Sequence, residues 1–195
     1  MLENCCYGAD EMAVINMIRQ GKFGRVVHCE GAYGHDLRDE IGNGDINRHY
    51  RQENFLHRNG ELYPTHELGP IAKYLNINRG NRMLMLTSMA SKSVGINEWI
   101  RTRRGEDFEN AHTTFTQGDV VTTCIKCAHG ETIVLTHDTS LPRPYSRGNL
   151  VEGTKGIWSE EKHGIYLDGT GESYEWGETY RDISEYYEQY QHPLW

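Results

Sequence analysis

Two runs of β-forming residues, "DVVTTCIKC" at 119–127 and "ETIVLTHDT" at 131–139, are joined only by "AHG". A link that short forces the two runs to pair as an antiparallel hairpin. Shorter strand-like runs follow in "GNLVEGTKGIWS" and "KHGIYLDGT", and the closing "ISEYYEQYQHPLW" reads as helical until Pro193. The second half is therefore mostly sheet.

The first half is patterned differently. "GADEMAVINMIRQGKFG" reads as a helix, with Met12, Ile15 and Ile18 at helical spacing, Asp10 as its cap and Gly21 at its end. "RVVHCEGAY" has strand character, and alternation puts Val27, Cys29, Gly31 and Tyr33 on one face. From His35 to Tyr63 the chain is polar, rich in turn formers and expected to be a long loop. "GPIAKYLNI" follows as a short helix, with Gly69 near the cap and Pro70 in its first turn. "RMLMLTSMAS" reads as a strand and "NEWIRTRRG" as a helix capped by Asn97. Helix, strand, loop and helix followed mainly by strands predicts an α+β fold in one domain over residues 1–195, with an open, largely antiparallel sheet and helices on one face.

Charge and composition remove several function classes. A net charge of -8, with no basic stripe, argues against nucleic-acid partners. The apolar runs are too short to span a bilayer. Five cysteines cannot form a fully paired disulfide framework. Cys124 and Cys127 make a lone C-x-x-C whose side chains would point to opposite faces of a strand, which suits buried thiols better than a metal or redox pair. No G-x-G-x-x-G turn follows a strand, no G-x-S-x-G elbow appears, and no carboxylate pair of glycosidase type stands out.

"RNGELYPTHELGP", residues 58–70, holds the most suggestive chemistry. A helix beginning near residues 67–70 would put His66 at its N-terminus, where the dipole disfavours the imidazolium. A neutral ring there can act as a base, and it can equally be a capping or packing residue. Tyr63 lies three residues earlier, and Pro64 stiffens the approach. Arg48, Arg51 and Arg58 come from the polar stretch before it, and "THDTSLPRPYSRG" presents Tyr145 from a proline-stiffened segment. His35-Asp36 and His137-Asp138 contain ligand-type atoms, but two separated pairs do not make a metal signature.

"LENCCYG", "HCEGAYGHDLR", "HRNGELYPTHELGPIAKYLNINRGNR", "LTSMAS", "LTHDTSLPRPYSRGNLVEGTKGIW" and "YQHPLW" together resemble glycoside hydrolase family 109 over nearly the whole chain. These are NAD-dependent α-N-acetylgalactosaminidases related to the Gfo/Idh/MocA oxidoreductases. The resemblance implies a Rossmann NAD domain ahead of this chain, which would be a fragment ending short of the family's closing segment. It also implies a partner glycan ending in N-acetylgalactosamine, and export by the twin-arginine route in many members. Loss of the partner domain would expose apolar surface and favour self-association into a homo-oligomer.

The implied reaction explains the missing carboxylate pair. NAD takes hydride from C3 of the sugar, the ketone acidifies the C2 proton, the aglycone leaves by elimination, water adds, and C3 is reduced again. By the same resemblance Glu3 and Asn4 match cofactor-side positions, with Asn4 a NAD contact. Tyr33 and His66 match the proton-handling residues, at C2 and at the C3 hydroxyl respectively, with the two roles open to exchange. Arg51, Tyr63 and Tyr145 match substrate contacts, as do Tyr33 and His66. A sugar dehydrogenase of the same superfamily and an inactive carbohydrate-binding remnant are the rival readings.

Overall fold

The computed structural model describes residues 3–44, 49–170 and 179–195. A 3-10 turn over Asn4–Tyr7 leads into α1 (Ala9–Arg19), followed by β1 (Val26–Gly34). Next come α2 (Arg38–Gly42), α3 (His49–His57), α4 (Thr65–Tyr74), β2 (Met83–Ala90) and α5 (Gly95–Arg104). The β-rich half supplies β3 (Val120–Cys127), β4 (Thr132–Asp138), β5 (Leu150–Gly153), β6 (Gly156–Ser159) and β7 (Gly164–Leu167). β8 (Arg181–Asp182), a 3-10 turn over Ile183–Tyr186 and α6 (Tyr187–Tyr190) close the fold.

The strands form one eight-stranded sheet in the order β2-β3-β4-β1-β5-β6-β7-β8. β3 and β4 form the antiparallel hairpin that the "AHG" link demands. β1 lies parallel to β4, and every other pairing is antiparallel. This is the expected α+β architecture with a largely antiparallel sheet. Inserting β1 between β4 and β5 brings Tyr33 into register with His137, although the two are far apart in sequence.

Alternation decides which face is covered. Cys29, Gly31 and Tyr33 of β1, Val121, Ile125 and Cys127 of β3, and Ile133 and Leu135 of β4 are all inward positions. The main core packs Val14, Met17, Ile71 and Tyr74 of the helices against Ile125, Ile133, Val151, Trp158 and Ile165 of the sheet. A second core, around Tyr33, Leu37, Ile41, Phe55, Ile96 and Ile100, covers the other end of the same face. Cys124 points outward and Cys127 inward, as strand alternation requires. Edge strand β2 leaves Leu84, Met85, Leu86 and Met89 exposed, an apolar row along the sheet edge.

Several local expectations are corrected. α1 is capped by extended Gly8; Asp10 sits inside the first turn and accepts the Tyr187 hydroxyl. A register shift between Val26 and His28 turns Val27 out of the buried face. The stretch from 35 to 63 is not a long loop. It folds α2 and α3 because Leu37, Ile41 and Phe55 bury against Ile96 and Ile100 of α5, and the Gln52 amide donates to the Ile41 carbonyl. Tertiary packing makes these short helices, which lack a clear apolar stripe of their own.

α4 begins at Thr65, so Pro70 lies inside it and not in its first turn. Pro64 already has helical dihedrals, and its carbonyl accepts the Leu68 amide. Gly69 is no cap: a Cβ there would stand 2.8 Å from Glu3 Cγ. Asn97 lies within α5, whose N-terminal amides at Val94 and Gly95 are capped by Asp119; the Asn97 amide donates to the carbonyls of Ala111 and Thr113 instead.

Candidate active site

The C-terminal ends of β1 and β4 meet the N-terminus of α4. Gly31 makes the meeting possible, since a Cβ there would come within 2.7 Å of Glu67 Cβ. Tyr33 then stacks on Tyr63 with ring centroids 4.8 Å apart, and His66 meets both edge-on, at 5.4 Å from Tyr33 and 4.9 Å from Tyr63. Such offset and edge geometries are the favoured aromatic contacts.

His66 Nδ1 lies 2.8 Å from Glu3 Oε1. A proton on Nδ1 donates to the carboxylate, which leaves Nε2 as the acceptor nitrogen of the ring. The helix start is thus not the only field on this ring, because a carboxylate stands against it. Burial works against the Glu3 carboxylate, but the Cys5 amide, the Thr65 hydroxyl and His66 together hold its pKa below the ordinary value. Glu3, Cys5 and His66 place ligand-type atoms within 4.8 Å of one another. The Cys5 thiol is pushed up to about 11, chiefly by burial, so it is a protonated neighbour at neutral pH. Asn4 is exposed beside them.

This first segment is clasped from the sheet side. Arg147 pairs with Glu11 at 2.6 Å and with Glu160 at 3.2 Å, and reaches the Cys5 carbonyl at 3.5 Å. Burial opposes its charge, and the two carboxylates more than offset that.

Arg51 comes from α3. Its Nε lies 2.7 Å from Glu40 Oε2, and its guanidinium sits 5.8 Å from the Tyr63 ring centroid. Its charge also acts on the Tyr33 hydroxyl. Burial raises the Tyr33 pKa, and Arg51 pulls against it. Half-exposed Tyr145 stands at the rim, edge-on to His35 at 5.1 Å, with its hydroxyl pushed up to about 12 mainly by burial. Tyr33, Arg51, Tyr63 and His66 are therefore brought into one cluster, with Glu3 bonded to it and Asn4 and Tyr145 at its edge. Arg48 lies outside the described residues, and Arg58 is exposed beyond α3. The two His-Asp pairs separate: Asp36 binds Arg38, Asp138 binds Arg143, and the histidines face aromatic rings.

Beneath the ring cluster lies a polar layer that no motif announced. Glu61 Oε1 accepts the Tyr63 amide at 3.1 Å and His137 Nδ1 at 3.1 Å. The Thr139 hydroxyl is 3.2 Å from His137 Nε2. Glu67, fully buried on α4, faces Glu61, and its pKa is pushed up to about 10 by burial and by that second carboxylate. Two glutamates flanking a tyrosine-histidine motif were the available sequence signal.

The fold matches solved sugar oxidoreductases. Levoglucosan dehydrogenase in complex with NADH and levoglucosan aligns over 91% of this chain and 45% of its own, with a TM-score of 0.59 at 14% identity. An inositol dehydrogenase homolog complexed with NAD+ from Azotobacter vinelandii aligns over 87% of this chain and 41% of its own, with a TM-score of 0.57 at 14% identity. At that identity the likeness concerns the fold alone. What the fold defines is an architecture: the α+β sheet domain that these dehydrogenases carry over the aligned region.

Sequence relationships narrow the class. The family described as "Glycosyl hydrolase 109, C-terminal domain" matches residues 7–195. A glycosyl hydrolase family 109 protein of Stenotrophomonas maltophilia is 42% identical over 213 aligned positions, covering 100% of this chain and 46% of the relative. An alpha-N-acetylgalactosaminidase of Tannerella forsythia is 40% identical, covering 100% of this chain and 45% of the relative. The chain belongs to glycoside hydrolase family 109. It spans less than half the length of these relatives. Among the described residues, no helix is long and apolar enough to cross a membrane.

Proposed function

We propose that residues 1–195 are the substrate-binding domain of an NAD-dependent retaining glycosidase that removes terminal α-N-acetylgalactosamine from glycans, with the cofactor held mainly by a Rossmann domain outside these residues. The observation that carries this reading is the His66–Glu3 pair, 2.8 Å apart, inside the Tyr33–Tyr63 ring cluster of a family 109 chain.

Tyr63, backed by buried Tyr33, offers an aromatic surface to a sugar face, while Arg51 and Tyr145 supply polar partners at its sides. The edge beside His66 suits a nicotinamide: Asn4 is an exposed amide that can pair with a carboxamide, and Glu3 already fixes the histidine. NAD, when bound there, supplies the acceptance and return of hydride at C3. His66 Nε2 takes the C3 hydroxyl proton, and the Glu3 carboxylate stabilises the imidazolium that results. Tyr33 takes the proton at C2 once C3 is a ketone, with the Arg51 guanidinium offsetting part of the cost that burial puts on its phenolate form. The electron pair of the C2–H bond forms the C1–C2 double bond as the bond to the aglycone breaks. Water adding at C1 reverses the proton transfer. Self-association of the chain, where it occurs, uses the exposed apolar row of β2.

The assay uses p-nitrophenyl α-N-acetylgalactosaminide and NAD, with the chain alone and joined to the NAD domain of a family relative. Nitrophenol released only by the joined protein, without net NADH, is the expected result. Accumulating NADH with intact glycoside would identify a sugar dehydrogenase instead. Sugar binding without either product would identify a binding remnant.

A further inference from the structure

Glu61 and Glu67 face each other in a buried layer, and their oxygens do not match the donors around them. Both Glu67 oxygens and Glu61 Oε2 lack a hydrogen-bond partner, while Glu61 Oε1 is used twice, by the Tyr63 amide and His137 Nδ1. The Thr136 backbone lies near Glu67 but not in hydrogen-bond geometry. Two charged carboxylates in contact away from water are untenable, whereas one proton held between them satisfies an oxygen on each.

We propose that Glu61 and Glu67 act as a single proton-sharing unit that positions Tyr63, and through it the Tyr33–His66 cluster, for sugar binding. The geometry gives the unit a path to the site. Glu67 donates its proton to Glu61 Oε2. Glu61, so fixed, holds the Tyr63 amide at the entry to α4 and the ring of His137. His137 lies 6.0 Å from the Tyr33 ring and 6.4 Å from Phe55, so the same carboxylate braces both stacked tyrosines from below. The high proton affinity of Glu67 accords with this arrangement. Neither glutamate reaches the ligand-facing side of the rings; both are positioning residues. The sugar-binding consequence rests on the function proposed above, whereas the positioning of the rings does not.

Two near-isosteric variants separate shared-proton positioning from simple packing. Glu67→Gln keeps an N–H donor towards Glu61, whereas Glu67→Met keeps the volume and leaves Glu61 Oε2 orphaned. Each is compared with the wild-type chain by NMR, following the Tyr63 amide and the Tyr33, Tyr63 and His66 ring resonances while N-acetylgalactosamine is added. Glu67→Gln is expected to keep the ring resonances and the sugar affinity. Glu67→Met is expected to shift the resonances and weaken the sugar by about tenfold, the worth of one buried hydrogen bond to a charged group. Unchanged resonances in Glu67→Met, or a Glu67→Gln chain as disturbed as Glu67→Met, would overturn the proposal. If Glu67→Met does not fold, the Glu67→Gln comparison decides alone. If the wild-type chain binds no sugar, the function fails, and the ring resonances still decide the positioning.

Discussion

His66→Ala is expected to lower turnover of the NAD-domain-joined protein by about 10²- to 10⁴-fold, the usual worth of a general acid–base group. The reason is specific to this ring. Its Nδ1 is occupied by Glu3, and its Nε2 is the nitrogen that the proposed mechanism assigns to the C3 hydroxyl. His66 is partly exposed and belongs to the first turn of α4, so its removal opens no core cavity. The melting temperature is therefore expected to move by only a few degrees. Tyr33→Phe is expected to cost about 10²-fold or more on the same grounds, since it removes the hydroxyl on which the Arg51 charge acts and leaves the ring stacked on Tyr63. Steady-state kinetics with thermal melts checks both. Loss of folding in both variants, with no separate kinetic defect, would return His66 and Tyr33 to a packing role.

The second large effect is on stability, and its sign follows from Glu67. The carboxyl binds its proton with a pKa near 10 in the folded chain, against an ordinary 4.5. Below pH 4.5 both folded and unfolded chains hold the proton, and the group contributes no slope. Between the two values the folded chain holds a proton that the unfolded chain has released. Stability therefore falls as pH rises through that window, at a limiting slope of about 1.4 kcal/mol per pH unit. Glu61 is the charged group directly facing Glu67, with His137 beyond it, while His66 on the same helix turns to Glu3. Glu67→Gln is neutral throughout. Its advantage over the wild-type chain is expected to be absent near pH 4.5 and to grow towards pH 10. Urea unfolding of the two chains across that range measures the difference directly, and parallel pH profiles would contradict it.

The sheet was legible because its signals are local. β3 and β4 announce themselves by β-branched runs and a link too short for anything but a hairpin. The parallel pairing of β1 with β4 was not legible, and with it went the Tyr33–His137 register and the role of His137. α2 and α3 were hidden because their apolar residues are few and gain their partners only from α5. The start of α4 was read too late because Pro70 suggested a first turn, whereas Pro64 begins the helix and Gly69 serves the approach of Glu3.

The site divides in the same way. Family motifs named Tyr33, Arg51, Tyr63, His66 and Tyr145; the structure gathers the first four and leaves Tyr145 at the rim against His35. The Glu3–His66 bond joins residues 63 positions apart and is a product of the fold. The Glu61–Glu67 pair has no motif of its own, because its chemistry comes from burial and from mutual approach. Neither contact is visible in a string of residues, although two glutamates flanking the tyrosine-histidine motif point to the second.

The central claim is that this domain serves a glycosidase working through a ketone at C3 and proton loss at C2. Its most direct measurement is hydrolysis by the NAD-domain-joined protein in D2O, with the released N-acetylgalactosamine analysed by NMR and mass spectrometry. The account predicts one solvent deuterium at C2, because the proton taken there exchanges before water adds at C1. Released sugar that keeps its original hydrogen at C2 would contradict it.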